Sequence, residues 1–297
     1  MTQYVDTALA TQFADQVHLK GQQMKTRLRD KVEVVPMNTQ DMTVETLDSL
    51  EAVEITSRHQ KTQGQDIVHG RRRLRMREFR CTIYLDQRDE ISTLVDPQRN
   101  YAGAVSKAMY RQFDRLVVEA MDATVYTGKD MTTTLSFASD GGKTVNATAG
   151  LTYEKILEIN QNFADYEIGT DLDEGAYLAI AAEDHTDLLL EIELTSGDYT
   201  REYALEKGKI VRAVGNEVIV FGGAVNNPIL PVNGSNVRSC FAFTTGAIQV
   251  GMAMDQAPRI DERADLNYAK QVQAVLMMGA VRKEGARVQK VTTTKSA

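Results

Sequence analysis

The residues whose side chains could carry chemistry are few, and their spacing suits it poorly. Histidine occurs at His18, His59, His69 and His185. None stands at HxxxH or HxxE spacing, and a zinc site needs three or four converging ligands. His59 and His69 bracket one polar loop without a third ligand, so solvated side chains are expected there. Cys81 and Cys240 lie far apart and form neither a CxxC pair nor a disulfide framework. Gly141-Gly142-Lys143-Thr144 resembles the end of a phosphate-binding loop. Phe137, however, stands where that motif needs its first glycine, and no apolar strand precedes it. No GxGxxG follows a strand, and there is no GxSxG elbow. Acidic pairs such as Asp173 and Glu174 read as solvated surface. The sequence names no catalytic, cofactor-binding or metal-binding residue, and the expectation is a protein that is not an enzyme and uses no cofactor.

The most pointed charge feature is Arg71, Arg72, Arg73, Arg75, Arg77 and Arg80. Alternation puts Arg71, Arg73, Arg75 and Arg77 on one side of a strand. Arginines on a ribbon can grip phosphates. Against that, no aromatic is interleaved between Arg71 and Arg77, and another part of the chain is strongly acidic. A basic ribbon lying across an acidic surface of a neighbouring copy fits better, with a plain solvated face and nucleic-acid binding as the alternatives.

The elements that must position these residues come from a chain of 297 residues, room for one large domain or two modest ones. At 42% hydrophobic and 25% charged residues, it can bury a core. Trp is absent and the net charge is −7, which argues against base-stacking recognition and against the whole molecule as a nucleic-acid binder. The charge is uneven. Residues 151–207 hold 15 acids and 3 bases, a charge of −12, so the remainder carries −7 + 12 = +5. That split suggests a domain boundary near residue 150. The N-terminal residues lack the pattern of a signal peptide, and no run approaches the ~20 apolar residues of a membrane span. A soluble protein of the reducing cytoplasm, with no membrane partner, is the expectation.

Val5, Leu9, Phe13 and Val17 recur every four residues and predict an amphipathic helix, ended before Pro36. For some fifteen residues after Pro36 no core pattern is expected. The helix then caps its own domain or serves as an intermolecular arm. Residues 51–59 and 71–85 alternate as two strands around a polar loop, a long projecting hairpin, with a change of phase near Glu78 that predicts a bulge or bend. Asp96-Pro97 opens a helix to about residue 126, whose buried face is Val105, Met109, Phe113, Leu116 and Ala120. The Thr- and Gly-rich stretch 131–150 reads as a hairpin or loop. Helices are expected over 152–166 and 183–191, and strands over 177–181, 217–221, 240–243, 248–254, 268–278 and 286–291, with a loop at 226–236.

This order of arm, hairpin, long helix, α/β lobe and returning strands resembles the tailed-bacteriophage major capsid proteins, the Hong Kong ninety-seven fold that encapsulin shells share. The stretches that resemble that family are 54–59 (EITSRH), 71–79 (RRRLRMREF), 95–97 (VDP), 126–129 (YTGK), 194–199 (LTSGDY), and Gln271-Val272 with 278–291 (MGAVRKEGARVQKV). The resemblance implies an α+β chain with an N-terminal arm (1–42), an extended hairpin loop (43–92), a peripheral domain with a long spine helix (93–150 and 250–297) and an axial domain (151–249). It implies self-assembly into pentamers and hexamers of an icosahedral head around a double-stranded DNA genome held without sequence-specific contacts. It also implies a portal and a cement or decoration protein as partners. The sequence begins at the arm, so any scaffolding protein is expected to be separate. Intersubunit contact is expected from Val5, Leu9, Phe13, Val17, Arg71, Arg72, Arg73, Arg75 and Arg77. Lys61 is the lysine near the hairpin tip, and no motif supports a crosslink there. The alternatives are an encapsulin-like compartment around a cargo protein and, in another class, an α/β metabolic enzyme.

Overall fold

The computed structural model describes residues 23–48, 50–58, 61, 64–86, 97–147, 150–168, 175–190, 210–222, 228–233 and 235–294. Val5, Leu9, Phe13 and Val17 of the expected N-terminal helix lie outside them, as do His18, His59, Asp173, Glu174 and the stretch 194–199. The expected run of that helix up to Pro36 is wrong, because residues 29–36 hold a 3-10 turn, Arg29–Lys31, and a strand, Glu33–Pro36. The chain divides into two compact units. One comprises Arg27–Met76, Asp114–Ala253 and Met278–Ala297; the other comprises Met1–Thr26, Arg77–Phe113 and Met254–Met277.

The first unit is built on a mixed six-stranded sheet in the order β7 (Lys143–Ala147), β14 (Val288–Thr294), β11 (Val237–Thr244), β8 (Ala176–Ala181), β10 (Asn216–Phe221), β9 (Arg212–Ala213). β11 is central: it runs antiparallel to both β14 and β8, and Cys240, Phe241, Ala242 and Phe243 are fully buried. A strand covered on both faces reads as a continuous apolar run, which is why 240–243 is legible without alternation. β8 and β10 are parallel, with Leu178 beside Val218 and Ile180 beside Val220. The connection between two parallel strands needs a crossover, and it includes α3 (Ala182–Leu190), which packs on both strands. α2 (Tyr153–Ala164) packs on β7 and buries Ile156, Ile159 and Phe163, three or four residues apart on one face. The sheet takes strands from inside 151–249 (β8 to β11) and from outside it (β7, β14).

A second, four-stranded sheet of this unit runs β2 (Asp41–Leu47), β3 (His69–Arg75), β5 (Val125–Thr127), β6 (Thr133–Leu135). Its core is Met37, Val44, Leu74, Val125 and Val281, with Met42 and Met76 packed on it. The expected absence of a core after Pro36 is therefore wrong, since Met37 and Val44 are both buried there. The expected strand over 51–59 is also wrong: the described residues 51–58 hold no strand. The partner of β3 is β2, in register Met42 with Leu74 and Val44 with Arg72. β2 wins because its inward side chains, Met42 and Val44, meet Leu74 across the ladder, whereas Val53 and Ile55 find no covered face and stay exposed. β1 (Glu33–Pro36) runs parallel to the start of β12 (Ile248–Arg263), Glu33 beside Gln249.

In the second unit, β4 (Arg77–Leu85) lies beside β13 (Ala269–Arg282), and β12 and β13 are neighbours in the same sheet, joined through a 3-10 turn, Ala264–Leu266. Asn267 and Tyr268 follow with positive φ of 52° and 59°, a backbone that side chains rarely adopt. The chain passes between units within α1 (Pro97–Asp122), β12 and β13. On α1, Val105, Met109, Phe113, Leu116 and Ala120 are all buried as the periodicity requires. α1 stops at Asp122, short of the expected 126, because Val125-Tyr126-Thr127 pairs as a strand with Thr133–Leu135.

Candidate interaction surfaces

The hairpin loop exposes several large apolar side chains. The connection between β2 and β3 spans residues 48–68 and is closed at its root by the Asp48 N–H donating to the Val68 carbonyl at 3.2 Å. Along it Leu47 is 63% exposed, Ile55 77% and Val68 64%, and Leu50, Val53 and Ile67 are exposed as well. Lone exposed apolar residues are ordinary, but several along one short segment mark a surface that something covers.

At the root, the arginines separate by parity. Arg71 and Arg75 are exposed and Arg73 half-buried on the outer face of β3, while Arg72 and Leu74 point inward. Arg71 Nε lies 3.2 Å from Glu45, and Arg73 forms a bidentate pair with Asp41 at 3.1 and 2.7 Å. That pair holds the Asp41 carboxyl below the usual carboxylate range. Arg77 is not on this face: the strand breaks at Met76, whose N–H donates to the Gln40 carbonyl, and Arg77 opens β4, its guanidinium 5.3 Å over the Phe79 ring. The break falls two residues before the position expected for a bend. Arg72 turns into the core and its guanidinium clasps Asp140, so it is not presented to a neighbour.

Asp140 also accepts from Nε of Arg282, which is fully buried at the end of β13. Arg282 donates from Nη1 to the carbonyls of Met121 and Ala123 at the end of α1, and lies 5.1 Å over the Phe137 ring. Burial lowers the Arg282 pKa, and Asp140 opposes that shift. One carboxylate thus joins the hairpin root, the β6–β7 loop, the end of α1 and β13. Sequence reasoning missed Asp140 and Arg282, because a pairing of residues 68 and 142 positions apart leaves no local pattern.

The remaining candidates do not assemble a reactive site. Gly141 has φ +83° in a tight turn, and Lys143 starts a strand instead of a helix. Its ammonium contacts Asn162 and Asp165 at 3.0 and 3.1 Å. A phosphate loop needs a helix N-terminus at that point. His69 is exposed, but His185 is buried and its Nε2 accepts the Ile210 N–H at 3.0 Å, a structural role. Among the described residues no three His, Cys, Asp or Glu side chains converge to hold a metal ion. No helix among them is long and apolar enough to cross a membrane.

The sequence matches the family model described as phage capsid protein over residues 5–295. The chain belongs to the phage capsid protein family. It is a capsid protein of the bacteriophage virion, which forms the phage head, and its role is structural; neither a cargo compartment nor a metabolic enzyme is favoured. Solved structures share the fold at low identity. The capsid structure of cyanophage P-SCSP1u aligns with TM-score 0.72 at 14% identity, covering 98% of this chain and 95% of that one. The acid-stable capsid of Helicobacter pylori bacteriophage KHP30 gives 0.72 at 8% identity over 97% and 96%. Gordonia phage Cozz gives 0.68 at 15% identity over 98% and 93%. No curated protein sequence matches the chain significantly.

Proposed function

We propose that this capsid protein builds pentamers and hexamers that close an icosahedral head around double-stranded DNA, with the hairpin loop and the N-terminal segment reaching onto neighbouring copies. The observation that carries this reading is the exposed apolar run of the loop from Leu47 to Val68, which the described part of the chain leaves uncovered. Repeated heterologous contacts of one chain propagate until curvature closes them. Segments that order on contact add surface that a single copy cannot bury. In this reading Val5, Leu9, Phe13 and Val17 pack on a neighbour, and Arg71, Arg73, Arg75 and Arg77 meet acidic surface there. Arg72 acts from within, by holding the loop root.

The domain roles follow the same reading: arm 1–42, loop 43–92, peripheral domain 93–150 and 250–297, and axial domain 151–249 around the five- and six-fold axes, with 226–236 as its axial loop. The net charge of −7 supports DNA confined by the wall and not gripped by it. A portal, a separate scaffolding protein and a decoration protein are the other partners of this reading. Electron microscopy of the purified protein, alone and with its co-expressed neighbouring gene products, tests it. Capsomers or closed shells are expected; a protein that stays monomeric under all those conditions overturns it.

A further inference from the structure

We propose that Asp114 is the positioning residue that fixes where the N-terminal segment joins the body, and that this anchoring prepares the segment for its contacts with neighbouring copies. The second half rests on the reading of residues 5–17 as an intersubunit arm. Asp114 sits within α1 and is fully buried. A buried carboxylate in a helix is costly unless it is well hydrogen-bonded. Three hydrogen bonds tie it to the start of the chain: Oδ1 accepts the backbone N–H of Arg27 and of Leu28, each at 3.2 Å, and Oδ2 accepts Arg27 N–H at 3.0 Å.

Those amides lead into the 3-10 turn Arg29–Lys31, and the residue before it, Leu28, offers no side-chain cap. A carboxylate from α1, 86 positions away, satisfies the two backbone donors that lead into the turn. Side chains make further contacts on either side. Leu28 is fully buried, Arg27 lies 5.5 Å over Phe221, and Lys31 binds Glu217 at 2.8 Å and covers Tyr177 at 4.8 Å. Asp114 reads the backbone itself, so it specifies the path of the chain and not merely its adhesion. The turn then delivers β1 to its ladder with β12. The amides it holds are confined to this strap, so their release is local.

The test compares Asp114→Asn and Asp114→Ala with the parent in the full-length, unassembled chain by amide hydrogen exchange, and then by shell yield in electron micrographs. Exchange at residues 27–31 is expected to rise at least tenfold in Asp114→Ala and less in Asp114→Asn, which keeps one acceptor, with Cys240–Phe243 unchanged. Shell yield is expected to fall in the same order. In a chain also lacking residues 2–22, Asp114→Asn is expected to lower the yield no further. Unchanged exchange at Arg27 and Leu28, or a rise spread equally through β11, overturns the anchoring. Local release with undiminished yield, while removal of residues 2–22 does reduce it, overturns the link to assembly. If removal of residues 2–22 leaves the yield intact, the arm reading fails and the link with it, and the exchange result still decides the anchoring.

Discussion

Arg72 and Asp140 meet fork to fork in the interior, Nη1 to Oδ2 at 2.7 Å and Nη2 to Oδ1 at 2.6 Å. Arg282 joins them at 2.9 Å, and Arg72 also donates to the Arg282 carbonyl at 3.1 Å. Bidentate geometry of this kind fixes direction as well as distance. It fixes β3 at the root of the hairpin loop.

Asp140→Ala leaves two buried guanidinium groups without their shared carboxylate. Breaking a buried pair in this way costs about 3–5 kcal/mol, and chemical denaturation should read a loss of that order. Arg72→Lys keeps the charge and loses the fork, so it should still destabilise. Arg71→Ala, on the exposed face of the same strand, should change stability by less than about 0.5 kcal/mol.

Gly279 on β13 allows the hairpin root to approach. A Cβ there would stand 2.4 Å from the Arg75 carbonyl oxygen and 2.7 Å from a Leu74 methyl. Gly279→Ala should cost about 1–3 kcal/mol, the usual penalty of overpacking, measured as a shift of the denaturation midpoint. Gly215→Ala meets no atom within 4 Å and is strained only by its positive φ of 88°.

The two thiols should behave differently. Burial, followed by the Asp184 charge and hydrogen bond, pushes the Cys240 thiol far above its ordinary value. The thiolate is the reactive form. Alkylation of the native, unassembled protein is expected to label Cys81, which is half-buried, and spare Cys240. Unfolding should expose both.

Asp187 gives a pH dependence of opposite sense to the common one. Partial burial and the neighbouring Asp184 carboxylate raise its pKa. The folded chain therefore holds this proton more firmly than the unfolded chain. Stability from this group is full below its unfolded value, near ~3.9, and is lost as pH rises through the folded value. Asp187→Asn should stabilise by a few tenths of a kcal/mol (about 0.3) at pH 7, since the side chain is well solvated. The gain should vanish at pH ~3.5, below the reference carboxylate value, as thermal melts at the two pH values would show.

Local periodicity carried most of the fold. The apolar face of α1 at Val105, Met109, Phe113 and Leu116 and the apolar run of β11 at Cys240–Phe243 follow from spacing alone. The end of α1 did not, because Val125–Thr127 leaves the helix to satisfy a partner strand at Thr133–Leu135. β2 was hidden because its alternation, DMTVETL, buries only Val44 completely and gains its meaning from Leu74 across the ladder. The arginine ribbon was legible as a strand but not as two faces with different tasks. Alternation sets Arg72 on the other side from Arg71 and Arg73, but its task shows only with Asp140, brought from the β6–β7 loop. Asp114 was masked in the same way, as an acid inside an otherwise apolar stripe.

The central claim is that the loop residues left bare in one copy are covered by another. A cryo-electron microscopy reconstruction of particles assembled from this protein measures it directly. Leu47, Ile55 and Val68 are predicted to lose most of their exposure against a neighbouring subunit. A reconstruction in which the loop folds onto its own subunit, with these three side chains covered there or still facing solvent, would contradict the account.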